Sequence, residues 1–153
     1  MIKMLIYIGA DHQGFNLKEA LKNFLKNQGY EVVDVGNLEY NELDDYPDFA
    51  KLVARAVSQD PSNRKGIVIC GSGVGVDMVA NKFDGARSAL VNNIEQAVLS
   101  RQDDNSNILA LGAKFVNGEQ AKEILAAWLK TPFSGKEKYE RRLEKISEIE
   151  KDN

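Results

Sequence analysis

The sequence predicts an α/β fold in which a parallel sheet carries helices on both faces. Short β-branched runs that stop at glycine alternate, along the whole chain, with segments whose apolar residues recur every three or four positions. Strands joined through helices need right-handed crossovers, which makes the strands parallel and buries both faces of the sheet. A chain of 153 residues, 43% hydrophobic and 28% charged, suits a single domain over 1–153 with a full core.

Met4 to Ile8 reads as the first strand and stops at Gly9-Ala10-Asp11-His12. Leu17, Ala20, Leu21, Phe24 and Leu25 then form one apolar helical face, ended by Gly29. Glu31 to Gly36 is the second strand, and the polar stretch 37–45 is a loop leading to Tyr46-Pro47, where proline suits a first helical turn. Phe49, Leu52, Val53, Ala56 and Val57 mark the core side of that helix, and Asp60-Pro61-Ser62-Asn63 is a turn. Gly66 to Cys70 is the central strand, which runs through glycines into a helix reaching Phe83. Ala86 to Val91 is the fourth strand, Ile94 to Arg101 a short helix, Gln102 to Asn107 a polar interruption and Ile108 to Gly112 the fifth strand. Ala121, Ile124, Leu125, Trp128 and Leu129 give a periodic helix that stops at Thr131-Pro132.

The tail over 136–151 differs in kind. Tyr139, Leu143 and Ile146 make a narrow apolar stripe, with Lys138, Arg141, Arg142 and Lys145 beside it on the helical projection. A helix with so little core does not stand alone. It is expected to dock on its own domain or on a second subunit, a solvated face being the plainer alternative.

Charge and composition remove several function classes. A net charge of −3 and a pI of about 5.3 argue against wholesale binding to nucleic acid or a membrane surface. One cysteine makes no internal disulfide, and with one histidine it gives no His/Cys metal cluster, so no metal or cofactor is expected. The apolar start is too short for a signal peptide, which points to the cytoplasm.

The chemistry concentrates at Cys70-Gly71-Ser72-Gly73-Val74-Gly75. The spacing fits neither the Walker loop nor the dinucleotide fingerprint. A glycine turn between a strand and a helix nevertheless presents unpaired amides to an anion, with no side chains in the way. A thiol and a hydroxyl flank those amides, so this is read as a catalytic turn. In a parallel sheet the ligand lies at the carboxyl ends of the strands, and Asp11-His12, the loop before Tyr46, Asn92-Asn93 and the Gly112 turn all fall at that edge.

These residues carry a resemblance. Gly9-Ala10-Asp11-His12-Gln13-Gly14-Phe15, Asp45-Tyr46-Pro47-Asp48, Gly66 to Gly75, Ala80-Asn81-Lys82, Leu99-Ser100-Arg101-Gln102, Asn107 to Gly112 and Arg141-Arg142-Leu143-Glu144-Lys145-Ile146 are similar, in order, to the ribose-5-phosphate isomerase B family, which includes the galactose-6-phosphate isomerase subunits. The resemblance implies a Rossmann-like three-layer α/β/α domain with five parallel strands. It also implies a homodimer with shared active sites, sometimes paired into a tetramer, and metal-free aldose–ketose isomerisation of sugar phosphates.

On that resemblance Cys70 is the catalytic base, and an amide-rich helix amino terminus favours the thiolate it needs; a lone cysteine after a strand is otherwise inert packing. Ser72 stands where the family often has threonine and passes a proton between sugar oxygens. The amides of Gly71, Gly73, Val74 and Gly75 hold the enediolate. Asp11 and His12 contact sugar hydroxyls and phosphate, Tyr46 and Asn81 belong to the substrate-binding motifs, and Arg142 grips phosphate. Lys138 falls near a second phosphate arginine, in Gly135-Lys136-Glu137-Lys138-Tyr139 where the family has Gly-Gly-Arg-His. Lysine there supplies charge without a two-pronged hydrogen bond.

One departure bears on the substrate. Asp103 and Asp104 replace a family His-Asn pair whose histidine opens the furanose ring, and His12 is the only imidazole in the chain. Adjacent carboxylates at a helix carboxyl end favour protonation of one of them, which is what an acid catalyst needs; as solvated loop residues they would do nothing. Ribose 5-phosphate to ribulose 5-phosphate is the default reaction, with a hexose or an open-chain tetrose phosphate as the variant. A non-catalytic sugar-phosphate-binding subunit of a heteromer and a nucleotide-binding module are the other classes; no purine-side fingerprint supports the last.

Overall fold

The structure, a computed structural model, describes residues 4–153. Residues 1–3, the approach to the expected first strand, lie outside that range. Eleven elements follow in the described residues: β1 (Leu5–Ala10), α1 (Phe15–Asn27), β2 (Glu31–Gly36), α2 (Tyr46–Gln59), β3 (Arg64–Cys70), α3 (Val74–Ala80), β4 (Ser88–Leu90), α4 (Ile94–Asp104), β5 (Ile108–Gly112), α5 (Gly118–Lys130) and α6 (Glu137–Lys151). The five strands form one parallel sheet in the order β2-β1-β3-β5-β4. This is the α/β class expected from the alternating pattern. None of the described helices is long and apolar enough to cross a membrane.

Two cores explain why the central strands read as continuous apolar runs. Ile67 and Ile69 of β3 and Leu109 and Leu111 of β5 pack with Leu21, Leu25, Leu125 and Trp128 on one face. Val68, Cys70, Ile108 and Ala110 point the other way, against Ala50, Val53, Val57, Val76 and Ala80. Successive strand residues face opposite sides, so each core takes every second residue. Cys70 therefore ends on the α2–α3 face. The chain leaves β1 toward β2 on one side and then crosses to β3 on the other, which opens a crevice at the carboxyl ends of β1 and β3.

Boundaries differ from the periodicity reading at β1, which runs on to Ala10, at β3, which begins at Arg64, and at three further elements. α4 runs on to Asp104, because Asn105 takes a left-handed conformation (φ 48°) and caps the helix with its N–H on the Arg101 carbonyl. The stretch 102–107 is thus the last turn of a helix and its cap rather than a loop, and Ser106 is buried, accepting from Trp128 Nε1 at 2.8 Å. β4 shortens to Ser88–Leu90, since the Arg87 N–H is taken by Asn107 Oδ1 at 2.7 Å. α3 ends at Ala80, where the Asn81 amide exchanges two hydrogen bonds with the Ser88 backbone, at 2.8 and 3.0 Å.

The apolar face of α1 also hides a charge. Lys18 is fully buried, and its Nζ donates to Asp34 Oδ2 at 2.6 Å, with Lys22 on the same oxygen at 2.9 Å. Burial pushes Asp34 up, but Lys18, Lys22 and the Gly36 N–H outweigh it and hold the carboxyl below its ordinary value. α6 has no buried residue; Glu150 Oε2 accepts from the Gly85 N–H at 2.8 Å, and Ile146 and Ile149 remain 42% and 62% exposed.

Candidate active site

The β1–β3 crevice is a cleft of about 430 Å³ lined by Asp11, Tyr46, Cys70, Ser72, Gly75 and Lys114, among others. Cys70, 5% exposed, closes its floor. The Gly73 N–H donates to Cys70 Sγ at 3.2 Å. Ser72 Oγ accepts from the Val74 N–H at 3.2 Å, so its own hydroxyl hydrogen is left to donate elsewhere. The N–H groups of Gly71, Ser72 and Gly75 donate to no acceptor among the described residues. A set of unspent amides around a thiol is the arrangement that a developing oxyanion requires.

Two glycines make this approach possible. Gly73 turns the chain at φ 79°, and a Cβ there would lie 2.8 Å from the Gly112 nitrogen. A Cβ at Gly75 would meet the Tyr46 ring at 2.5 Å, so Tyr46 lies directly against the turn.

Asp11 directly follows β1 and is 6% exposed. Its Oδ1 accepts from the N–H groups of Gln13 and Gly14, at 3.0 and 3.1 Å, and burial still raises the carboxyl above its ordinary value. His12 is held by Asp44, whose Oδ1 lies 3.0 Å from the His12 main-chain nitrogen and 2.7 Å from ring Nδ1. Asp11, His12 and Asp44 bring three donor atoms within 4.8 Å of one another. Nδ1 and Asp44 Oδ1 are already bonded to each other and Asp11 Oδ1 to two amides, so the set is a hydrogen-bonded cluster.

Asp11, Tyr46, Cys70, Ser72 and the glycine turn are brought together as the sequence implies. His12, Gly73, Asn81, Asp103, Asp104, Lys138 and Arg142 are not among the residues lining this cleft; His12 and Gly73 adjoin it through Asp11 and the glycine turn. Asn81 and Asp104 face a different cavity with Ile146 and Ile149. Arg142 and Lys138 flank the Tyr139 ring, at 5.7 and 4.9 Å from its centroid. Burial and then the neighbouring Asp103 raise Asp104 above its ordinary value, and Arg142 offsets part of that.

Residues 6–146 match the family model described as Ribose/Galactose Isomerase. The chain belongs to the ribose/galactose isomerase family. Within this family it is 41% identical over 145 residues to ribose-5-phosphate isomerase B of Escherichia coli K12, covering 95% of both chains. Its fold superposes on the ribose-5-phosphate isomerase B structure of Clostridium thermocellum with a TM-score of 0.92, at 46% identity over 97% of this chain and 99% of that one. The Mycoplasma genitalium enzyme, solved with bound ribulose-5-phosphate, gives a TM-score of 0.96 at 41% identity with both chains fully covered.

Among residues to which the sequence assigned no role, Lys114 is the one cation lining the cleft among the described residues, and Gln13 and Met78 line it too. Lys114 lies two residues past Gly112, at the ligand edge of β5, and its N–H donates to the Gly71 carbonyl at 2.9 Å. Its place just beyond a strand's carboxyl end is the signal that would have found it.

Proposed function

We propose that the chain interconverts ribose 5-phosphate and ribulose 5-phosphate, moving a proton between C2 and C1 through a cis-enediolate. The observation that carries this is the Cys70 thiol standing against the unspent amides of Gly71, Ser72 and Gly75. The full-length match to ribose-5-phosphate isomerase B relatives, one of them solved with ribulose-5-phosphate, supports the choice of sugar.

The Cys70 thiolate takes the C2 proton of the open-chain aldose as charge moves onto O1, and the amides receive that charge where it develops. Ser72 carries a proton between O1 and O2, and the thiol returns its own to C1. Asp11, fixed by two amides, accepts from sugar hydroxyls, while Lys114 supplies positive charge for the phosphate or the enediolate.

The active form is read as a homodimer, or a tetramer of paired dimers, in which the partner's Lys138 and Arg142 bind phosphate and the partner's Asp103 and Asp104 face the sugar. Support comes from the absence of those residues from the chain's own cleft and from apolar surface in its lining: Val74 and Met78 are 47% and 61% exposed. The cytoplasm is the proposed compartment, where a lone free thiol stays reduced.

A coupled assay on the purified chain alone tests this reading. Ribulose 5-phosphate should form from ribose 5-phosphate without any second protein. Binding of the sugar phosphate with no turnover would instead favour the non-catalytic subunit.

A further inference from the structure

A second polar cavity, of about 390 Å³, opens at the other edge of the sheet, with Ser62, Lys65, Arg87, Arg101, Asn105 and Asn107 in its lining. These residues precede or begin β3, β4 and β5, whereas Cys70 ends β3, roughly 20 Å away at the rise of an extended strand. The two cavities are on opposite edges of one sheet.

Three cations share this cavity, and among the described residues none of them has a carboxylate within 4 Å. Glu150 of α6 is the acidic group that acts on Arg87, at longer range. Arg87 spends Nε on the Asn105 carbonyl at 2.8 Å and Nη1 on the Gly85 carbonyl at 3.3 Å. Arg101 spends Nε on the Thr131 carbonyl at 3.0 Å, and Nη1 on Asn105 Oδ1 at 2.9 Å and on the Ser106 carbonyl. In both guanidinium groups Nη2 donates to nothing among the described residues. Lys65 Nζ has no acceptor either and sits 5.3 Å over the Trp128 ring. Among the described residues no buried side-chain nitrogen is left unbonded, so these free donors reach solvent.

The two arginines double as staples for the loop at 105–106. Lys65 has no such duty. Burial and then Arg101 push its amine down to about 8. An anion that enters the cavity meets the Lys65 ammonium and two guanidiniums whose remaining donors are not committed to the protein.

We propose that the cavity formed by Lys65, Arg87 and Arg101 is a second anion site, for a small phosphate-bearing ligand, either inorganic phosphate or a phosphate monoester. Its volume is in the range of small-molecule sites. The uncommitted Nη2 groups and the ammonium supply donors for separate oxygens of one phosphoryl group. The site is independent of the reaction assigned to the cleft.

Equilibrium dialysis of the full chain against labelled inorganic phosphate, and separately against glycerol 3-phosphate, tests it. At millimolar ligand the wild-type chain should bind one more equivalent than Lys65→Met, whose affinity at this site should fall about tenfold or more. The arm that binds tighter identifies the source of the phosphoryl group. Lys65→Met removes a desolvated charge, so its melting temperature should equal or exceed that of the wild type, and it should keep ribose 5-phosphate turnover. Lys114→Gln, which weakens the cleft, should leave the amino-edge equivalent in place. Equal binding by wild type and Lys65→Met, or no binding by wild type at millimolar phosphate, would overturn the proposal.

Discussion

Asp44 Oδ1 holds His12 at two points, 3.0 Å from its main-chain nitrogen and 2.7 Å from ring Nδ1. A carboxylate only accepts, so Nδ1 carries the hydrogen and Nε2 is the free ring nitrogen. The hydrogen bond to Asp44 raises His12 above its ordinary 6.5. The folded state therefore favours imidazolium, and this contribution is present below pH 6.5 and lost as pH rises through the raised value. Burial pushes Asp44 up, but the His12 ring, the His12 N–H and Asn37 outweigh it and leave it below 3.8. Its share of stability is present above pH 3.8 and lost as pH falls through the lowered value. Asp44→Asn should bring the His12 titration down toward 6.5 in a nitrogen-detected NMR experiment. An unmoved midpoint would show that Asp44 does not set the charge on His12.

Cys70→Ala should lower turnover by about a thousandfold or more if the thiol is the base, a loss at the upper end of what a proton-transfer group and its oriented charge supply. The side chain lost is small, so circular dichroism and ligand binding should change little. Alkylation of the wild-type thiol should inactivate, with protection by substrate. More than a few per cent residual activity in Cys70→Ala would remove Cys70 from the base position.

Asp34→Ala should destabilise the fold by about 3–5 kcal/mol in urea denaturation, because it strands the fully buried Lys18 ammonium without its carboxylate. Pairing Lys18→Met with Asp34→Ala should recover much of that loss. If the double variant is no more stable than Asp34→Ala alone, the stranded charge is not the cause.

Deleting residues 136–153 should leave the melting temperature of the monomeric fold nearly unchanged, since α6 buries no residue in its own chain. The same deletion should cost both dimerisation, read by ultracentrifugation, and activity. A truncated chain that stays dimeric with unchanged KM would make the tail a solvated appendage.

Asp103→His should raise turnover of ribose 5-phosphate without a comparable gain on a four-carbon aldose 4-phosphate. The phosphate on that tetrose removes the hydroxyl that closes a furanose, so only the pentose needs ring opening. Cys70 and Ser72 serve both substrates alike, which isolates the step. Efficient wild-type turnover of the pentose with no gain from Asp103→His would assign ring opening to another group.

The order of elements, the parallel sheet and the position of the reactive turn were legible in the chain itself. Periods of two and of three to four, glycine at strand ends and proline at Pro47 are local consequences of backbone geometry, and neighbours in sequence suffice to read them. Cys70 and Ser72 could be placed at the ligand edge because a strand's carboxyl end is fixed by chain direction alone. What local pattern could not supply was the set of contacts made across the fold. Lys18 lies outside the apolar set that marks α1, and only Asp34, sixteen residues later, supplies the carboxylate that lets it be buried. Asp44 lay in a polar loop until the fold laid it on His12, thirty-two residues away. The polar run 102–107 read as an interruption because its residue types favour turns, whereas the buried Ser100–Ser106–Trp128 hydrogen bonds hold it as a helix end. Lys114 and Lys65 entered opposite cavities for the same reason: a sheet has two edges, and tertiary packing decides which cations at each edge are left without a counter-charge.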